Sequence, residues 1–149
     1  MALTAGQVPV LANVPNGGTT IVSGAVSGAL GSNNNGFEGY IAGALGGRVY
    51  SVMGSSNSTA ITNIFTYILR DSSTVVPLGL TPLAISAGNV TGTRNIDFLD
   101  GVNIAGLPLD NTGKRYIPLQ PNDVLKFSSL ASLTTFRVFI TCHGADYQV

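Results

Sequence analysis

Two segments of this chain alternate between apolar and polar residues with the period of two that an extended strand requires. In Thr59–Arg70 the odd-numbered positions are mostly apolar and the even-numbered positions are mixed. In Thr134–His143 every second residue from Phe136 to Cys142 is apolar. Because successive side chains of a strand point to opposite faces of a sheet, both segments are predicted to be half-buried strands of an antiparallel sheet. The odd-numbered side of the first segment is expected to be buried, and the even-numbered side to be partly exposed to solvent.

Shorter segments with strand-forming residues lie between clusters of Gly, Asn and Pro, which favour turns. They are Thr19–Ser23, Arg48–Met53, Val75–Ile85, Tyr116–Leu119 and Val124–Ser128. Pro77 and Pro82 indicate that the third of these is a bent or edge strand, because proline cannot donate the backbone hydrogen bond of a sheet. The apolar spacing of an amphipathic helix is missing throughout, and only Arg94–Leu99 is expected to form a short helical turn.

These segments predict an all-β chain of about seven or eight short strands, folded as an antiparallel β-sandwich or jelly roll. The length of 149 residues is typical of one domain. Residues 1–36 are expected to form an extended N-terminal arm or the first strands, with a turn at Asn16–Gly18, and residues 37–149 the sandwich. The predicted core is drawn from the two alternating segments and from Val124–Ser128: Ile61, Phe65, Tyr67, Leu69, Leu125, Phe127, Phe136, Val138 and Ile140.

Charged side chains are scarce in this chain. They make up 9% of the residues, against about 25% in an average soluble protein, and small uncharged residues, among them 19 glycines, replace them. The seven basic and seven acidic residues cancel, so the chain lacks the basic excess that a nucleic-acid partner requires. Because burying an unpaired charge is costly, a surface of small neutral side chains favours contact with other subunits. A closed homo-oligomer, such as a trimer, is therefore expected.

No secretory or membrane-spanning segment is predicted. The N-terminal MALTAGQVPV lacks the basic start and the continuous apolar run of a secretion signal. The apolar stretch Ile21–Leu30 is interrupted by serines and glycines and is about half the length that a membrane helix requires. We therefore expect synthesis in a cytoplasm and no membrane partner.

Three pairs of titratable residues are candidates for chemistry: His143 with Asp146, Asp97 with Asp100, and Asp110 with Asp123. A structural role is favoured for each pair, since an exposed histidine is common near a strand end and aspartates commonly accept local backbone N–H groups in turns. A calcium loop at Asp110–Gly113 lacks the further spaced oxygen ligands. The single cysteine, Cys142, has no disulfide partner and cannot complete a zinc site with the single histidine. No catalytic, cofactor or metal site is predicted.

Short turn-and-strand motifs characterise the second half of the chain. They are Leu107–Asp110 (LPLD), Gly113, Tyr116–Leu119 (YIPL), Asn122–Leu125 (NDVL) and Gly144–Tyr147 (GADY). With the strands between them, they resemble the head decoration, or cement, proteins of tailed bacteriophages over residues 60–149. This resemblance implies a trimeric β-sandwich or jelly roll on the virion capsid surface. It also implies that the chain binds the major capsid protein at subunit junctions of the outer lattice and stabilises the head without catalysis.

If the resemblance holds, the uncharged N-terminal segment is expected to contact the capsid. The residues expected to do so are Val8, Val10, Leu11 and Val14. A receptor-binding or fibre-tip module of a virion is the alternative. Such modules expose clustered aromatic residues, whereas this chain has no Trp and five Tyr spread along its length. An enzyme of the cupin type shares the jelly-roll architecture but needs several metal-binding histidines, and the chain has one.

Overall fold

A computed structural model describes residues 11–24, 36–88, 93–129 and 133–148. These ranges contain nine β-strands and no helix, which confirms the all-β prediction. The strands are β1 (Leu11–Gly24), β2 (Phe37–Ile41), β3 (Gly47–Ser56), β4 (Thr62–Arg70), β5 (Thr74–Leu83), β6 (Ile96–Asp97), β7 (Ile117–Leu119), β8 (Val124–Ser129) and β9 (Leu133–Gln148). Within the described ranges, no helix is long and apolar enough to cross a membrane.

The strands form two antiparallel sheets. A five-stranded sheet has the order β1-β9-β3-β6, with β7 also paired to β3, and a four-stranded sheet has the order β2-β8-β4-β5. Buried side chains from both sheets form one apolar core, which includes Val22, Val52, Val138 and Ile140 from the first sheet and Ile64, Ile68, Leu125 and Phe127 from the second. The chain is therefore an antiparallel β-sandwich, as the sequence predicted.

β1 and β9 pair along nearly their whole length, from Leu11 opposite Gln148 to Gly24 opposite Leu133. The predicted strand Thr19–Ser23 lies within β1. The turn expected at Asn16–Gly18 is wrong, because these residues continue the strand. The glycines there permit a close approach of backbones instead, since a Cβ on Gly17 would lie 2.7 Å from the carbonyl oxygen of Cys142.

The alternation predicted for the last strand is confirmed in β9. Val138, Ile140 and Cys142 are fully buried, whereas Arg137 and Phe139 on the other side are exposed. Hydrophobic burial of one face is the main stabilising contribution of such a strand.

The odd-numbered side of β4 is buried, as predicted, but the partly exposed even-numbered side expected from the sequence is wrong. Ile64 and Ile68, on the even-numbered side of β4, belong to the core between the sheets. Phe65, Tyr67 and Leu69 are buried on the opposite face of the strand. On that face the Phe65 and Tyr67 rings stack on each other with centroids 5.6 Å apart, so β4 carries buried apolar residues on both faces.

Two members of the predicted core are not fully buried. Ile61 precedes β4 and is 65% exposed, so its assignment to the core is wrong. Phe136 is half-buried. Leu125 and Phe127 are core residues, as predicted.

Two further local predictions have different outcomes. β5 contains Pro77 and Pro82 and is an edge strand of its sheet, as expected. Arg94–Leu99 forms no helical turn; Ile96 and Asp97 pair with β3 instead. The segment stays extended because the next residue, Phe98, is anchored in the core. Phe98 is fully buried, and its ring packs edge-on against that of Phe127 with centroids 5.8 Å apart.

Candidate functional site

The outer surface of the five-stranded sheet is a flat array of small and neutral side chains. The registers of β1, β9 and β3 align three rows across the sheet: Ile21, Phe139 and Ser55; Thr19, Thr141 and Met53; Gly17, His143 and Ser51. We call these nine residues the neutral face. It contains no Asp, Glu, Lys or Arg, and the nearest charged residue along β9 is Arg137, at its border.

The neutral face exposes two large apolar side chains side by side. Ile21 is 42% exposed and Phe139 is 38% exposed, although the two residues are direct partners in the β1–β9 ladder. Their neighbours Val22 and Val138 are fully buried on the core side, so Ile21 and Phe139 point outward. An exposed aromatic–aliphatic pair on a charge-free sheet is typical of a contact surface.

The residues predicted to contact a capsid lie elsewhere. Val8 and Val10 are outside the described residues. Leu11 begins β1 opposite Gln148, and its side chain is also outside the description. Val14 is 40% exposed, but in the β1 ladder it is opposite Asp146, on the side of the strand away from the neutral face. The role of these four residues stays a prediction.

His143 and Asp146 do not form a pair. They are three residues apart on β9, so their side chains leave opposite faces of the strand. Asp146 instead accepts hydrogen bonds from the Tyr40 hydroxyl at 2.9 Å and from Asn16 Nδ2 at 2.8 Å. Burial, followed by the hydrogen bond and negative charge of Asp146, raises the pKa of Tyr40 well above its usual value. This cluster joins β1, β2 and β9 and is structural.

Asp110 and Asp123 likewise do not form a pair, and each hydrogen-bonds to different partners. Asp110 Oδ1 accepts the backbone N–H groups of Thr112 at 2.8 Å and Lys114 at 2.9 Å, and Gly113 closes the turn with φ of 81°. The β-turn predicted there is confirmed. Asp123 is fully buried and forms two hydrogen bonds with the Arg70 guanidinium, of 3.0 and 2.8 Å.

Asp97 and Asp100 cap turns, as expected from the sequence. Asp97 Oδ1 accepts the N–H of Leu99 at 2.9 Å, and Asp100 Oδ1 accepts the N–H of Val102 at 3.0 Å. The same two aspartates also line an open groove of about 420 Å³. The groove, which we call the polar groove, is lined by Tyr50, Asp97, Leu99, Asp100, Gly113, Lys114 and Arg115.

Three tyrosines surround Arg48 beside the polar groove. Arg48 Nε donates to the Tyr147 hydroxyl at 2.8 Å, and its guanidinium carbon lies 4.7 Å from the centroid of the Tyr116 ring. The Tyr50 and Tyr116 rings are tilted by 49° with centroids 6.2 Å apart, so Tyr50 connects this cluster to the groove.

Sequence reasoning missed the tyrosine cluster because it depends on strand order. Tyr116 directly precedes β7 and Tyr147 belongs to β9, and both of these strands pair with β3, which carries Arg48 and Tyr50. The occurrence of Arg48 and Tyr50 in one predicted strand was the only local signal.

The remaining titratable candidate is part of the core. Cys142 is fully buried, and burial raises the pKa of its thiol to about 12. Among the residues that the structure describes, no group of three or more His, Cys, Asp or Glu side chains is arranged to hold a metal ion.

No family model, curated protein or solved structure matches the chain.

Proposed function

We propose that the chain is a structural protein of a virion, which binds the outer capsid lattice as an oligomer of three copies, as the resemblance implies, and stabilises the head without catalysis. The neutral face is the observation that supports this proposal best. Docking of a charge-free sheet costs little desolvation, and an exposed Phe beside an Ile supplies the apolar anchor that interface centres favour.

The size of the neutral face indicates which part of an interface it supplies. Strands lie about 4.8 Å apart and residues on one face about 6.8 Å apart along a strand, so nine residues cover on the order of 300 Å². A stable interface buries about 800 Å² on each partner. The neutral face is therefore proposed as the centre of a larger contact with the major capsid protein.

Mass action accounts for the stabilisation. A protein that binds the assembled lattice and not its dissociated subunits stabilises the lattice by about 2.7 kcal/mol per site when its free concentration is a hundred times the dissociation constant. This mechanism requires no bond to be made or broken.

Capsid heads that lack the chain provide the direct test. Purified chain is added to such heads, and the temperature at which they release DNA is measured. The wild-type chain is expected to raise this temperature, and Phe139→Asp, which introduces a charge on the middle strand of the neutral face, is expected to abolish the increase. Ile61→Asp, at an exposed apolar residue outside the face, is the matched control and should act like the wild type.

Two controls make this experiment decisive. Thermal unfolding of each purified variant separates loss of binding from loss of folding, and Thr141→Lys provides a second charged substitution on the neutral face. Full stabilisation of heads by both Phe139→Asp and Thr141→Lys would rule out this face as the binding surface. Cryo-electron microscopy of the decorated heads should show the chain at junctions between capsid subunits.

A receptor-binding module of a virion is the second candidate, and the tyrosine cluster favours it. The five tyrosines are spread along the sequence, yet Tyr50, Tyr116 and Tyr147 meet around Arg48. Clustered Tyr and Arg side chains are enriched at recognition surfaces. Adsorption of the purified chain to host cells, in place of binding to heads, would support this candidate over the first.

A further inference from the structure

The polar groove contains four charged side chains that do not pair with one another. Asp97, Asp100, Lys114 and Arg115 all line it, and the salt bridges among the described residues are Arg70 with Asp123 and Lys126 with Glu38. Opposite charges that line one groove without contact leave both hydrogen-bond donors and acceptors available to a third group.

The acidic wall of the groove is held in place by its own turns. Asp97 and Asp100 each use Oδ1 to accept a backbone N–H group. The second oxygen of each carboxylate makes no hydrogen bond with the described part of the chain. Asp97 also belongs to β6, which pairs with Met53 of β3. The two carboxylates are thus fixed before a ligand arrives, which lowers the entropy cost of binding.

The basic wall is shaped by a glycine. A Cβ on Gly101 would lie 2.7 Å from Arg115 Nη2 and 3.0 Å from Cζ, so the missing side chain makes room for the guanidinium. Arg115 is also held by its backbone bridge to Leu109. The turn that carries Lys114 is closed by hydrogen bonds to Asp110.

Tyr50 adds an aromatic wall to these polar groups. Its ring packs against Tyr116, and it is half-buried. Leu99 is the one aliphatic side chain among the lining residues, so the groove offers little to an apolar peptide side chain. The two aspartates would repel an anionic ligand, and Lys114 and Arg115 would repel a cation. The groove therefore favours a polar ligand without net charge.

We propose that the polar groove binds a saccharide. Sugar hydroxyls donate to Asp97 and Asp100 and accept from Lys114 and Arg115, because a hydroxyl serves both functions, and a C–H face of the sugar ring packs on Tyr50. The volume of about 420 Å³ lies within the range of small-ligand sites. This inference is independent of the capsid proposal, since the groove and the neutral face share no residue.

Nuclear magnetic resonance of the isotopically labelled full chain tests the proposal. The chain is titrated separately with glucose, galactose, mannose, rhamnose, N-acetylglucosamine and the disaccharides lactose and maltose, and with a Gly-Gly-Gly peptide as a non-saccharide probe. At least one sugar should shift the amide signals of residues 97–101 and 113–115 in a saturable way. Shifts elsewhere only, saturable shifts by the peptide alone, or none with any sugar would overturn the proposal.

Variants then assign the binding to the groove. Asp97→Asn keeps the oxygen that caps Leu99 and removes the charge, and Tyr50→Leu keeps an apolar side chain without the ring. Each should weaken binding of the active sugar by about tenfold or more, because Asp97→Asn removes the charge that strengthens a hydrogen bond to a sugar hydroxyl and Tyr50→Leu removes the ring face that packs on the sugar. Asp71→Asn, in an exposed turn outside the groove, is the matched control and should bind like the wild type. Unchanged affinity in both groove variants contradicts the assignment.

Discussion

Arg70 and Asp123 form a two-bonded ion pair between the end of β4 and the turn that precedes β8. Arg70 Nε lies 3.0 Å from Asp123 Oδ1, and Nη2 lies 2.8 Å from Oδ2. The Asp123 side chain is fully buried, whereas that of Arg70 is 29% exposed. Asp123 Oδ2 also accepts the N–H of Gln120 at 2.8 Å, so the pair fixes the turn to the sheet.

Removal of the arginine should destabilise the fold strongly. In Arg70→Ala the buried Asp123 carboxylate keeps, among the described donors, only the Gln120 N–H, and breaking a buried ion pair by removal of one partner costs about 3 kcal/mol or more. Chemical denaturation should show this decrease in the free energy of unfolding. The double variant Arg70→Ala/Asp123→Ala should be more stable than the sum of the two single effects predicts, because it leaves no unpaired charge. If the losses of stability in the two single variants simply add up in the double variant, the two residues are not energetically coupled.

Gly54 and Phe98 lie in contact across the β3–β6 ladder. A Cβ on Gly54 would lie 2.5 Å from Cε1 of Phe98 and 3.0 Å from Cδ2 of Leu83. Gly54→Ala should therefore lower the free energy of unfolding by roughly 1–3 kcal/mol, the usual cost of overpacking a core. Phe98→Leu in the same chain should recover part of this loss by freeing space. Ser51→Ala, on the outer side of β3, is the control and should have little effect, measured for all variants by denaturant unfolding.

Local patterns predicted the parts of the fold that depend on one strand at a time. The alternation in β9 identified the burial of Val138 and Ile140, and the prolines of β5 identified an edge strand. Both are properties of a strand's own backbone and side chains. For β4 the pattern identified the burial of Phe65 but not that of Ile64 on the opposite face, because an alternating pattern indicates one buried side only.

The candidate surfaces depend on which strands become neighbours, and the sequence contains no local signal for this. The neutral face requires Ile21 near the start of the chain to align with Phe139 near its end. The polar groove requires Tyr50 of β3 to meet the turns around Asp100 and Lys114. The neutral face and the polar groove both form from segments that are distant in the sequence. None of these segments has a local sequence pattern that distinguishes it from other strands or turns.

The hydrogen bonds in the Asp110 turn predict that the turn loses stability at acid pH. The backbone N–H of Lys114 and then the Thr112 side chain hold the pKa of Asp110 below its ordinary value of 3.8. Because this folded pKa is depressed, the carboxylate's contribution to stability is present above the unfolded pKa and is lost as the pH falls through the folded one. In a carboxyl titration by nuclear magnetic resonance, Thr112→Ala should move the Asp110 midpoint upward and Thr112→Ser should restore it. Equal midpoints in all three proteins would contradict the assigned hydrogen bond.

The Tyr40–Asp146 hydrogen bond predicts that the stability of the fold decreases at alkaline pH, whereas the Asp110 contribution is lost at acid pH. Burial and the Asp146 carboxylate raise the pKa of the Tyr40 phenol in the folded chain. The hydroxyl therefore contributes stability that is present below about pH 10, the pKa of tyrosine in unfolded chains, and that is lost as the pH rises toward the folded value. Tyr40→Phe should reduce the free energy of unfolding by about 1.5 kcal/mol at neutral pH, because Asn16 is then the one donor to Asp146 within the described part of the chain. Unfolding curves measured across the alkaline range should show the difference between variant and wild type shrinking steadily as the pH rises above 10, and a constant difference would show that the Tyr40 hydroxyl makes no pH-dependent contribution.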